Sequence, residues 1–178
     1  MFDTANRARE IGFERSAAIG IDAIALSEEL TSGCNPKACR KYASCWTCPP
    51  GAGSYEERRA HFEGKDAGVL VQTVRDDVDI YEDWEALEET RTLHHQRLDQ
   101  LAAEMRSQFA DVLEFSTGGC DLCAPCSYPD APCLKPDEQR LSLSAHGVAV
   151  GETCKRAGLD YGFENGRLRY VGMIIYRK

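Results

Sequence analysis

"AGVLVQTVR", residues 67–75, is a short run rich in β-branched residues. It reads as a strand covered on both faces. The surrounding segments agree with that reading. "RSAAIGIDAIAL" (15–26) reads as a strand, with a short helix at "LSEEL" (26–30). "SYEERRAHFEG" (54–64) reads as a helix with Ser54 as N-cap and Gly64 as C-cap. Asp79 and Glu82 form a capping box that would open a long helix running to about Phe109. "DVLEFSTGG" (111–119) is a further strand, "LSAHGVAVGETCKRAG" (143–158) a helix, and "RLRYVGMIIYRK" (167–178) a last strand. Helices interleaved with strands predict an α/β or α+β fold. The expectation is one domain over residues 1–178, a sandwich with one mixed sheet, flanking helices and two cysteine-rich metal-binding loops.

Composition narrows what those loops can be. A chain of 178 residues can bury a proper hydrophobic core and does not need disulfides as staples. Its nine cysteines are an odd number, so no complete pairing scheme exists. No apolar run preceded by positive charge opens the sequence, and nothing approaches the roughly 18 apolar residues of a membrane span. A cytoplasmic protein is expected, with no membrane partner. In that reducing compartment clustered cysteines bind metal or do redox chemistry. With 29 acidic against 21 basic residues, the surface should repel phosphate backbones, so no nucleic-acid partner is expected.

"STGGCDLCAPCSYPDAPCLKP" (116–136) spaces its cysteines as Cys120-x2-Cys123-x2-Cys126-x6-Cys133. Zinc sites usually pair two separated C-x2-C knuckles. Three cysteines at successive steps of three, then a fourth, instead approach the bacterial ferredoxin run C-x2-C-x2-C-x3-C-P, with a wider last gap. Gly118 and Gly119 would let backbone approach a cluster, while the prolines keep the loop from becoming helix. A zinc loop, or a cysteine-rich turn without metal, is the plainer alternative.

The earlier segment, Cys34-x4-Cys39-x5-Cys45-x2-Cys48, supplies four more thiols and ends at Pro49-Pro50. Its C-x4-C opening has precedent in plant-type ferredoxins, though the x5 gap does not. Lys37, Arg40 and Lys41 lie between these thiols, where cations would lower thiol pKa values and offset cluster charge. Zinc, or thiols buried as core, remains open here.

Eight cysteines thus form two quartets, and the ninth, Cys154, lies on an apolar helix face with Leu143, Gly147, Val150 and Ala157. It reads as core. On the long helix Trp84, Leu87, Arg91, His94, Leu98, Leu101 and Met105 share one stripe, which turns His94 inward and His95 to one side. His61, His94, His95 and His146 are all read as ordinary partnered residues. No G-x-S-x-G, Walker A, G-x-G-x-x-G or H-E-x-x-H signature occurs, so no catalytic residues are assigned.

The early "C-x4-C…C-x2-C-P-P" loop, the later "C-x2-C-x2-C…C-x2-P" loop and the closing "G-L-D-Y…Y-V-G-M-I-I" resemble a bacterial and archaeal family of predicted metal-binding proteins of unknown function. The resemblance runs from about Cys34 onwards. It implies Cys34, Cys39, Cys45 and Cys48 as one ligand group, and Cys120, Cys123, Cys126 and Cys133 as the other. Together these readings anticipate two cysteine-ligated iron–sulfur clusters of the [4Fe–4S] type, exchanging electrons with a redox partner protein. The alternative is a structural zinc module without redox activity. An enzyme using one cluster as a Lewis acid would need an open iron site, and every cysteine is already assigned.

Overall fold

Val69, Leu70 and Val71 are all shut from solvent, yet successive side chains of a strand leave by opposite faces. The computed structural model, which describes residues 2–178, shows what covers each side of their strand, β2 (Ala67–Arg75). Val69 and Val71 join a core with Leu98, Leu101, Ala102 and Met105, while Leu70 joins another with Phe115, Leu143 and Cys154. The last strand, β5 (Leu168–Arg177), divides in the same way. Its Ile174 and Tyr176 enter the first core, and Val171, Met173 and Ile175 the second. The continuous apolar run therefore has the predicted cause.

Five strands form the sheet. With β1 (Arg15–Gly20), β3 (Ala110–Ser116) and β4 (Arg140–Ser142), the order is β1-β2-β5-β3-β4. All neighbours are antiparallel except β3 and β4, which run parallel, so the sheet is mixed as expected. Helices α1 (Thr4–Ile11) and α3 (Trp84–Arg106) carry residues of the first core, and α4 (Val150–Arg156) carries Cys154 into the second. Helix α2 (Tyr55–Ala60) is opened by the capping box of Ser54 with Glu57. Among the described residues no helix is long and apolar enough to cross a membrane.

A parallel pair cannot be joined by a hairpin, so β3 and β4 need a crossover. Here that crossover is residues 117–139, the second cysteine segment, rather than a helix of the usual kind. The loop leaves β3 after Ser116 and re-enters the sheet at Arg140, which pairs with Glu114.

Several elements differ from the sequence reading. The first strand stops at Gly20, because β2, its one partner in the sheet, begins opposite at Ala67. Helix α1 was not anticipated, although Asp3 caps it by accepting from Asn6 N at 2.9 Å and left-handed Gly12 ends it. The predicted helix over 143–158 starts only at Val150. Gly147 has φ +68° and its Cα hydrogen lies against Ser27, where a Cβ would stand 2.6 Å from the carbonyl oxygen. That left-handed residue interrupts the helix. Asp79 and Glu82 do not cap α3. Asp79 instead accepts from Tyr81 N and Glu82 N, and Asp83 accepts from Asp79 N at 2.7 Å, closing a separate turn before Trp84. Of the expected helix stripe, His94, Leu98, Leu101 and Met105 are fully buried, whereas Trp84 is 72% exposed.

Candidate metal centre

The two cysteine segments meet at Thr47. Its Oγ1 accepts the backbone N–H of Cys120 at 3.0 Å and lies 3.5 Å from Cys45 Sγ. Trp46 braces the same junction. Its indole N–H donates to the Ala131 carbonyl at 3.1 Å, and its ring meets Tyr128 edge-on at 5.0 Å. Each loop is also tied internally. Asn35 Oδ1 accepts from Lys37 N and Ala38 N, and Ser127 Oγ donates to Pro132 O at 2.8 Å.

Within the first quartet Cys45 and Cys48 are buried, and Cys34 and Cys39 are partly exposed. Cys48 donates to Cys45, which pulls the Cys45 thiol down to about 5, helped against burial by Thr47 and backbone donors. Cys48 is pushed far up by that same bond, by burial, and by the nearby charges of Cys45, Cys39 and Cys34. The four thiols therefore feel one another. Burial, then the charge of Cys39, raises Cys34. Lys37, Arg40 and Lys41 are all exposed residues of this segment. The cation that acts on Cys34 is Arg58 of α2, buried and donating to the carbonyls of Ala145 (2.6 Å) and Gly53.

The second quartet is arranged differently. Cys120, Cys123, Cys126 and Cys133 all border one small cavity, of about 20 Å³, together with Trp46 and Thr47. All four are partly exposed, and burial raises the Cys120 thiol. Among the described residues no three His, Cys, Asp or Glu side chains already stand as an ion cage. Loops of this kind take their final shape from the metal they bind.

Two observations test whether a metal group suits these residues. The donor set is all thiol, the soft ligand type that zinc and iron–sulfur groups take. Gly119 leaves just enough room beside Cys45 and Cys48, for a Cβ there would lie 2.6 Å from Cys48 Sγ and 3.0 Å from Cys45 Sγ. Both fit. Gly119→Ala should therefore lower metal content and cost about 1–3 kcal/mol through forced repacking. Metal analysis and urea denaturation of the purified variant check the two effects separately.

Asp121, next to Cys120, anchors the second loop to α3. Arg91 and Arg140 both donate to it, and His95 Nδ1 lies 3.4 Å away. Burial opposes its charge, but the bonds from His95 and Arg91 and the charges of His95 and Arg140 hold it well below the usual carboxylate range. Arg140 also grips Asp99 with two bonds of 2.7 and 2.6 Å. Sequence reasoning missed this network and Arg58. The adjacency of Asp121 to Cys120 was a local signal; the partners from α3 and β4 have none.

Glu114 of β3 completes the cluster, 3.4 Å from Arg140 and 3.8 Å from Arg106. Burial, then the charge of Asp99, pushes its carboxyl up to about 8, against the pull of both arginines. The folded state thus keeps a proton that the unfolded chain releases near its ordinary value of about 4.5. The resulting stability is full below that value and is lost as pH rises through about 8. Urea midpoints at pH 5 and pH 9 should differ less in Glu114→Gln than in the parent.

Cys154 stands apart from both quartets. It is fully buried in the second core, and burial raises its thiol to about 11. Cys154→Ala should keep the full metal content and cost about 1 kcal/mol. Metal loss in that variant would break the division into quartets. Of the histidines, His94 is buried with Nδ1 3.0 Å from Thr73 Oγ1, and His61 Nδ1 lies 3.0 Å from His146 Nε2.

Comparison with known proteins gives one finding. Residues 17–176 match the model of a family described as "Predicted metal-binding protein (DUF2284)". No curated protein and no solved structure matches the chain.

Proposed function

We propose, from the premise that this chain belongs to the DUF2284 family of predicted metal-binding proteins, that it carries two iron–sulfur clusters and passes electrons to or from a partner protein. Cys34, Cys39, Cys45 and Cys48 would hold one [4Fe–4S] cluster, and Cys120, Cys123, Cys126 and Cys133 the other. The observation that carries the reading is the contact between the groups, where Thr47 bridges Cys120 N and Cys45 Sγ. Two centres so joined are suited to electron exchange. The C-x2-C-x2-C spacing supports iron–sulfur ligation.

Each cluster would supply a one-electron store, with a potential anywhere from about −700 to +450 mV. The chain's own groups do the rest. Thr47 stands beside the Cys45 sulfur, Gly119 admits close approach, and Arg58 offsets negative charge near Cys34. A net charge of −8 favours a partner with a basic docking face.

A structural zinc reading is favoured by one observation. The cavity beside the second quartet, about 20 Å³, has room for about one water-sized sphere, so a cubane would need its cysteines to spread further than a single ion would. Iron, acid-labile sulfide and zinc counted on anaerobically purified protein decide between them. About eight irons with matching sulfide per chain is the expected result. Zinc in both loops, without sulfide, would replace the electron-transfer reading with the structural one.

A further inference from the structure

His61 and His146 form a pair that the metal centre does not use. His146 is buried, and its Nδ1 lies 2.8 Å from the Ser142 carbonyl oxygen, which can only accept. Nδ1 of His146 therefore carries the proton, and Nε2 of the neutral ring is a lone pair. His61 Nδ1, 3.0 Å from that lone pair, must donate to it. The remaining nitrogen of neutral His61, Nε2, is then an acceptor by elimination. The rings are stacked with centroids 5.2 Å apart, and Phe115 holds His146 edge-on at 5.0 Å. This sets the orientation of His61 from the core outward.

His61 borders a cleft of about 550 Å³ between the two cysteine loops, a volume within the usual range for small-molecule sites. Trp46, Pro129, Pro132 and Leu141 supply apolar wall, and the bracing of Trp46 by Ala131 and Tyr128 fixes that wall in place. The lining contains no lysine or arginine, and its one charged residue is the acidic Asp130. Such a cleft offers a phosphate or carboxylate no cationic lysine or arginine, and Asp130 opposes it. Cys133 lies both on this cleft and on the cavity of the second quartet, so a molecule bound here would rest against that centre.

We propose that this cleft binds an uncharged or cationic small molecule with an apolar, planar body and one O–H or N–H donor, and that His61 accepts its hydrogen bond. Burial, then the charge of Lys65, keeps the His61 imidazole neutral and so fit to accept. The inference goes beyond electron carriage and holds for either metal in the loops.

The test uses the full, metal-loaded chain and three probes of similar size: phenol, toluene and benzoate. Binding is followed by the shift of the Trp46 indole N–H resonance, assigned with Trp46→Phe. Phenol should bind about five- to tenfold more tightly than toluene, the worth of one hydrogen bond, and benzoate more weakly than phenol. His61→Phe should erase the preference for phenol while toluene still binds. Equal binding of phenol and toluene, preferential binding of benzoate, or no shift with any probe would overturn the proposal. So would a preference for phenol that survives in folded His61→Phe. Should that variant fail to fold, the comparison of probes on the parent protein still decides.

Discussion

Removing the metal under anaerobic conditions should leave the far-ultraviolet circular dichroism almost unchanged while residues 34–53 and 117–139 become open to protease. The sheet and α3 are built from residues such as Leu70, Leu98, Phe115, Met173 and Ile174, all shut from water and none in a cysteine loop. The loops are the reverse. Among the eight quartet cysteines only Cys45 and Cys48 are buried, and Leu134 is 71% exposed. Apart from the junction at Thr47 and Trp46 and the anchor at Asp121, their order rests on turns such as Asn35 with Ala38, which water can replace. Metal binding can supply on the order of 10 kcal/mol to segments of this kind, more than the turns provide. Limited proteolysis before and after chelation, with the cut sites located by mass spectrometry, gives the readout. Cuts spread through β2 or α3, with collapse of the dichroism, would show that metal holds the whole fold. Unchanged resistance of both loops would show that they do not depend on metal.

The same contrast explains what was legible in the sequence. Residues 67–75 announce a strand covered twice because burial on both faces leaves no room for polar alternation. The cysteine spacings are likewise local, and the four thiols of the later spacing border one cavity in the fold. Strand β4 was invisible, since three residues carry too little pattern, and its pairing with β3 is decided by the crossover loop. The interrupted helix before Val150 turned on Gly147 meeting Ser27, a contact across 120 positions that no local rule encodes. Cations illustrate the limit most directly. Lys37, Arg40 and Lys41 are exposed neighbours of thiols in sequence, while Arg58, far from them in sequence, acts on Cys34 through the fold.

The largest single-residue effect on stability is expected at Arg140. This first residue of β4 is buried and faces three carboxylates from three different elements: Asp99 of α3, Glu114 of β3 and Asp121 of the second cysteine loop. Its planar fork grips Asp99 with two bonds, a geometry that lysine cannot reproduce. Arg140→Met keeps much of the volume but removes the shared cation. Asp121 retains Arg91, and Asp99 is near solvent, so the unrelieved charge falls on Glu114, which is buried with Arg106 at 3.8 Å as its remaining partner. Leaving a buried charge uncompensated costs about 3–5 kcal/mol, a large share of the roughly 5–15 kcal/mol that holds a domain folded. Glu114 can escape part of that cost by staying protonated, so the loss should be smaller at pH 5 than at pH 9. The double variant Arg140→Met, Glu114→Gln should recover much of it, since a neutral amide needs no counter-charge. Urea denaturation of both variants at the two pH values measures each effect. A loss below about 1 kcal/mol at pH 9, or no recovery in the double variant, would mean that the carboxylates do not depend on Arg140 as the geometry requires.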